Sequence, residues 1–243
     1  MEEFPMIKFA LWTQCDLRQD YIIEQIKYMM AKREDIFEPT VIYGGKLTGK
    51  RNKSYNINNE EDANIFVKCL GDTDVLSIVL TNSDRKKRGV IFGFTIDFPP
   101  ECTVISFEVT HSFFKTYEDK NKFMDIVQEL IELTNPMFAK IDDIGNSLDI
   151  MDEMGEDIYQ LQSHIPAIFW VNYFGEKYIE KYGEVKLLNA PSGKIEHVGN
   201  GIMITMTNDL MEFDTNNCVE ARKKVSKYLG VGKYKLFKKV FKS

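Results

Sequence analysis

Three groups of residues in this chain have types and spacings that could do chemistry: a glycine- and lysine-rich loop, a run of carboxylates, and scattered cysteines and histidines. Gly44-Gly45-Lys46-Leu47-Thr48-Gly49-Lys50-Arg51 comes close to a phosphate-binding loop. In such a loop, backbone N–H groups and the lysine hold phosphates, a Ser or Thr hydroxyl holds Mg²⁺, and the next helix completes the cradle with its N-terminus. Here Arg51 stands where the hydroxyl is needed, and Asn52-Lys53-Ser54-Tyr55-Asn56 starts no amphipathic helix. The segment reads as a basic hairpin loop. Asp142, Asp143, Asp149, Asp152, Glu153, Glu156 and Asp157 offer oxygen ligands. No register among them combines alternating ligands, a mid-loop glycine and a terminal glutamate, as a calcium loop requires. No histidine stands at a recognisable spacing from them for general acid–base work. They read as a solvated or partner-facing acidic surface. Cys15, Cys69, Cys102 and Cys218 form no CxxC pair, and His111, His164 and His197 match no metal spacing. The expectation is reduced, mostly buried thiols, with no metal and no cofactor. GxSxG and HExxH are absent, so no catalytic residue is assigned.

The distribution of charge says more than the net charge of −6. From Ile141 to Glu176 there is no Lys or Arg at all, while the acids accumulate. Basic residues gather elsewhere: between Lys46 and Lys53, at Arg85-Lys86-Lys87-Arg88, and in the tail at Lys233, Lys235, Lys238, Lys239 and Lys242. That tail alternates with Tyr234, Leu236, Phe237, Val240 and Phe241. It reads as an amphipathic end docked on its own domain, because an acidic protein with one short basic end is a poor nucleic-acid binder. The 243 residues are 44% hydrophobic, 12% aromatic and 28% charged, which supports a substantial core without disulfides or metal. The acidic start Met1-Glu2-Glu3-Phe4-Pro5 lacks the basic and apolar regions of a signal peptide, and no apolar run approaches about 18 residues. The expected protein is cytoplasmic and spans no membrane.

The elements that must position these groups follow from periodicity. Ile7 to Trp12 reads as a strand and Asp20 to Arg33 as a helix, with Ile22, Ile23, Ile26, Met29 and Met30 inward. Thr40 to Tyr43 is a short strand, and Asn59 or a neighbour caps a helix from Glu60 to Leu70 that ends at Gly71. Asp74 to Leu80, Gly89 to Asp97 and Thr103 to Thr110 form an antiparallel meander. In its last strand Ile105, Phe107 and Val109 face the core, with Glu108 and Thr110 on a surface. Lys120 to Leu133 carries Phe123, Ile126, Val127, Leu130 and Ile131 on one stripe and stops at Asn135-Pro136. Met137 to Ile141 is a strand leading into the acidic stretch, where Gly145 and Gly155 suggest turns. Lys194 to Val198 and Ile202 to Met206 form a hairpin around Asn200-Gly201, and a final helix starts at Asn216 or Asn217 and ends at Gly230. The predicted fold is a single α+β domain over residues 1–243, a mostly antiparallel sheet with helices packed on one side.

Ile165 to Pro191 concentrates the aromatics. In Ala167 to Phe174 both alternate faces are apolar except at Asn172, which fits a doubly covered strand breaking at Gly175; a buried helix from Pro166 is the competing reading. Glu176 to Tyr182 then makes two helical turns with Tyr178, Ile179 and Tyr182 inward, capped by Gly183. A buried amide at Asn172 has to be hydrogen-bonded, and neighbouring backbone is the expected partner.

Phe169-Trp170-Val171-Asn172-Tyr173-Phe174-Gly175, followed by Tyr178-Ile179 and Tyr182-Gly183, resembles the aromatic-Asn-Tyr-x-Gly block of bacterial polymorphic-toxin immunity proteins. The resemblance is to the immunity protein 52 group, with a similar block in the type VI immunity family. It implies a non-catalytic cytosolic protein that binds and neutralises a cognate toxin domain without a cofactor. In it Trp170, Asn172, Tyr173, Gly175 and Gly183 are structural positions. The base-free acidic stretch suits a basic toxin, for instance one acting on nucleic acid, since complementary charge speeds encounter. On this reading Asp149, Asp152, Glu153, Glu156 and Asp157 lie at or near the partner surface. The rival readings are a small enzyme with a pocket beside the aromatic segment, using Asn172, His164 or the nearby acids, and a regulatory binding domain with no toxin partner.

Overall fold

The computed structural model describes residues 6–33, 36, 40–44, 54–55, 59–71, 77–82, 92–97, 102–147, 165 and 167–231. The loop from Gly45 to Arg51, the basic turn at Arg85 to Arg88, the acids Asp149, Asp152, Glu153, Glu156 and Asp157, together with Gly155, His164 and the Lys-rich tail, lie outside the described residues. The chain divides into two compact units, Met1–Pro136 and Met137–Ser243.

In the first unit, alternation of β-branched and aromatic residues builds β1 (Met6–Thr13), β2 (Thr40–Gly44), β3 (Ser54–Tyr55), β4 (Ser77–Asn82), β5 (Phe92–Asp97) and β6 (Thr103–Thr110). Helical spacing builds α1 (Asp20–Ala31), α2 (Glu60–Gly71) and α3 (Tyr117–Thr134). The strands order as β3-β2-β4-β5-β6-β1, and each neighbouring pair is antiparallel, so the meander stands with β1 added beside β6.

Register explains the burial. Phe9 lies opposite Phe107 and Ile7 opposite Val109, all essentially buried, and Phe107 stacks on Phe123 of α3 at 5.3 Å. Phe123, Ile126, Val127, Leu130 and Ile131 are buried as the stripe predicts, and each such side chain contributes about 1.5–3 kcal/mol by leaving water. Thr116 and Asp119 cap α3 reciprocally, and Asn135 ends it at φ 40 in the left-handed region. Asn59 caps α2 by accepting from the Asp62 N–H, again as expected. On the opposite face of β6, Glu108 is half-buried and ion-paired with Lys8, its cross-strand partner. Thr110 departs from the surface expectation: it is 2% exposed where β6 runs into the 3₁₀ turn His111–Phe113, with the Ser112 hydroxyl 2.8 Å from its own.

In the second unit, β7 (Phe138–Asp143), β8 (Val171–Phe174), β9 (Lys194–Val198) and β10 (Gly201–Thr205) order as β7-β8-β10-β9, all neighbours antiparallel. Two short helices, α4 (Glu176–Tyr182) and α5 (Glu184–Leu188), follow β8, and α6 (Asn216–Leu229) closes the unit. Thr215 caps α6 and Gly230 ends it at φ 80. Residues 144–147 are helical, so Gly145 sits inside a helical turn. The β9–β10 turn centres on Gly199-Asn200, one residue earlier than the Asn200-Gly201 reading, with Gly199 at φ 52. A tight hairpin needs a left-handed residue there, and glycine supplies it without strain.

Candidate functional site

The aromatic segment is organised around its single polar residue. Asn172 on β8 is 0% exposed, and both ends of its amide bond the backbone of one residue: the Phe169 N–H donates to Oδ1 and Nδ2 donates to the Phe169 carbonyl, each at 2.9 Å. The backbone partner expected for a buried amide is therefore Phe169. The same clamp explains why the strand is shorter than the apolar run. Phe169's backbone groups are taken by a side chain, the chain bends at Trp170, and regular pairing begins only at Val171. The competing helix from Pro166 is not formed, since residues 167–169 have no regular structure.

Beyond the clamp the apolar side chains form one cluster. Phe138, Phe174 and Tyr178 meet with ring centroids 5.8–5.9 Å apart, and Tyr178 stacks on Tyr182 at 6.1 Å. Burial holds the Tyr178 hydroxyl protonated far above its usual range. Ile179 and Tyr182 are only half-buried, so Tyr178 is the inward anchor of α4. Gly175 starts α4 and Gly183 ends it at φ 86, a conformation that disfavours a Cβ.

Tyr173 faces the other side of β8 and lies over Gly201 on β10, where a Cβ would fall 2.3 Å from the Tyr173 Oη. Gly201, read from sequence as a turn residue, is instead required for space under the ring. The Tyr173 hydroxyl is buried and has no hydrogen-bond partner among the described residues, and burial together with Glu176 raises its pKa to about 12.

A second polar centre was not visible as such in the sequence. Asp142 and Asp143, expected on a solvated or partner-facing acidic surface, instead belong to β7 and are buried. Asp142 is 1% exposed, and its oxygens are fully engaged. Oδ1 accepts from the Asp143 N–H at 2.9 Å and from Asn146 Nδ2 at 2.7 Å, while Oδ2 accepts from the Trp170 N–H at 3.1 Å and from Arg222 Nη1 at 3.5 Å. Arg222 also donates to the Phe213 carbonyl at 2.9 Å. Burial raises the Asp142 pKa against the opposing pull of Asn146, Arg222 and the two backbone N–H groups. Trp170 joins the two centres: its indole N–H donates to Thr207 at 2.6 Å, and its carbonyl accepts from the Met206 N–H at 2.9 Å. The signal that could have revealed the centre is Arg222, which stands on the buried stripe of α6 with Cys218, Val225 and Leu229. Its inward position requires a counter-charge.

These groups hold the chain in place. With every oxygen of Asp142 and both ends of Asn172 occupied internally, neither presents a free polar atom to a small molecule. Lys140, also buried, donates to the Ser147 hydroxyl and sits 4.0 Å from the Phe169 ring centroid. Cys218 is buried, and its thiol is pushed up to about 11 chiefly by burial; Cys15 and Cys102 are half-buried rather than buried. His197 is exposed beside Glu184 at 3.7 Å, and His111 is half-buried. Among the described residues, no group of three or more His, Cys, Asp or Glu is placed to hold a metal ion, and no helix is long and apolar enough to cross a membrane.

Fold and site together define an α+β protein whose aromatic block is a structural keystone of its second unit. No protein-family model matches the chain, and no curated protein matches it. Among solved structures, the Pseudomonas aeruginosa T6SS protein PA0821 is similar, with a TM-score of 0.59 over 92% of this chain and 75% of that one at 13% identity. The likeness is one of fold.

Proposed function

We propose that this chain is a T6SS-type immunity protein that binds and neutralises a cognate toxin domain in the cytoplasm, without turnover. The observation that carries the reading is the fold shared with a T6SS protein across 92% of the chain. The sequence block that resembles immunity proteins supports it, because in this fold the amide of its Asn172 is bonded at both ends to the Phe169 backbone and serves as a structural clamp. The base-free acidic stretch supplies the partner surface in this proposal, with Asp149, Asp152, Glu153, Glu156 and Asp157 meeting a basic, nuclease-like toxin. Co-expression with the toxin encoded beside its gene tests the reading. Protection of the host is the expected result, and reversing the five acids should slow association at low salt. A host that dies despite soluble expression of this protein would overturn it.

A further inference from the structure

The second unit ends its sheet on β9, whose outer side pairs with no strand among the described residues. Exposed strand edges are templates for further pairing and are normally blunted by charge, proline or bulges. β9 carries Lys194-Ile195-Glu196-His197-Val198, with Ile195 half-buried and an ion pair between Lys194 and Glu196 at 2.8 Å on one face. Val198 and Gly201 flank a two-residue turn, so Val198, Glu196 and Lys194 exchange backbone bonds with β10. Ile195 and His197 then direct their N–H and C=O groups to the free edge. A bulge at Gly193, whose N–H donates to the Thr205 carbonyl at 3.0 Å, closes the ladder just before Lys194.

We propose that β9 pairs antiparallel with β9 of a second copy of this chain, on a two-fold axis through Ile195. In that register the outward N–H and C=O of each Ile195 bond one another reciprocally, Lys194 faces the other copy's Glu196, and Glu196 faces its Lys194. The competing registers lack this complementarity. Centring on Glu196 sets that carboxylate against itself, and centring on His197 sets Glu196 against Val198; like charges directly opposite are destabilising. The axis runs perpendicular to the sheet, so both α5 helices stay on the Ile195 face. Each α5 meets β9 through Glu184 and His197 and leaves Val185 74% and Leu188 37% exposed. Exposed apolar side chains on a helix that meets the edge strand are the usual complement to backbone pairing in strand addition.

Sedimentation equilibrium of the full chain at low salt, from micromolar to hundreds of micromolar, tests the proposal. A monomer–dimer equilibrium is expected, and Glu196→Lys should weaken it roughly tenfold by creating two like-charge contacts. The register has its own signature: Lys194→Glu and Glu196→Lys chains, each weakened alone, should recover the parent affinity when mixed, as should the Lys194→Glu/Glu196→Lys double variant. A chain monomeric throughout, a dimer indifferent to Glu196→Lys, or mixing that restores nothing would each overturn it. Circular dichroism of each variant checks that the charge changes leave the fold intact.

Discussion

Two arginines tie a helix or its end to a carboxylate distant in sequence, and the two pairs behave in opposite ways. In the first unit Arg33 grips Glu129, 96 residues away, with two bonds of 2.8 Å, and Lys32 adds a contact at 3.5 Å. The Glu129 side chain keeps 38% of its surface in water, and its pKa falls, chiefly through the Arg33 hydrogen bonds. In the second unit Arg222 reaches Asp142, 80 residues away, by one contact of 3.5 Å in a site where the carboxylate has 0% exposure. There burial outweighs the cation and the pKa rises. The presence of an arginine does not set the sign. A well-aligned fork in partial contact with water favours the charged acid, whereas a long contact in a dry site does not repay the lost hydration.

Breaking the dry pair should cost most. Arg222→Met keeps the volume and removes the cation, leaving a buried carboxylate supported only by neutral donors, and about 3–5 kcal/mol of stability should be lost in urea titration at neutral pH. The Asp142→Asn/Arg222→Met double variant should recover most of that loss. A double variant as unstable as the single one would mean that Arg222 acts through Phe213 rather than through Asp142. The clamp at Asn172 comes next. Asn172→Ala orphans the N–H and C=O of Phe169 in a dry core, at about 1–3 kcal/mol for each group, so a loss of about 2–6 kcal/mol is expected by the same titration. Hydrogen exchange at the Phe169 amide should accelerate in step with it.

The clamp and the dry pair also differ in how far they could be read from sequence. Asn172 bonds a residue three positions away, so one polar side chain in an apolar run was enough to announce a structural amide. The α3 stripe from Phe123 to Ile131 and the Gly230 stop of α6 were legible for the same reason, since period and capping are local. Asp142 and Arg222 were not legible as a pair. Asp142 had an ordinary reading as a member of an acidic run, Arg222 drew no reading of its own, and only the packing of α6 brings them together. Gly201 likewise gave a turn signal that was local, while its actual constraint is a ring from another strand. What escaped sequence was therefore the set of contacts made across elements, and the acids assigned to the partner surface lie outside the described residues.

The wet pair gives the smallest effect and the sharpest test of the contrast. Glu129→Gln should cost less than about 1 kcal/mol at neutral pH, because a half-exposed pair is screened by water and salt. Its pH dependence matters more than its size. The lowered Glu129 pKa means that its contribution is present above the unfolded value of 4.5 and is lost as pH falls through the folded value. Asp142 runs the other way. With its folded pKa raised above 3.8, there is a pH interval above that value in which the native state still holds a proton that the unfolded chain has released, so its contribution is fully present below 3.8 and declines as pH rises through the folded value. Urea midpoints measured from about pH 7 down to about pH 2.5, through and below the ordinary carboxylate range, should therefore separate the variants. Relative to the parent, Glu129→Gln should lose its disadvantage on acidification, and Asp142→Asn should do worse. Two profiles that shift in the same direction would show that exposure does not divide these pairs, because a dry carboxylate with a raised pKa and a wet one with a lowered pKa must respond with opposite signs.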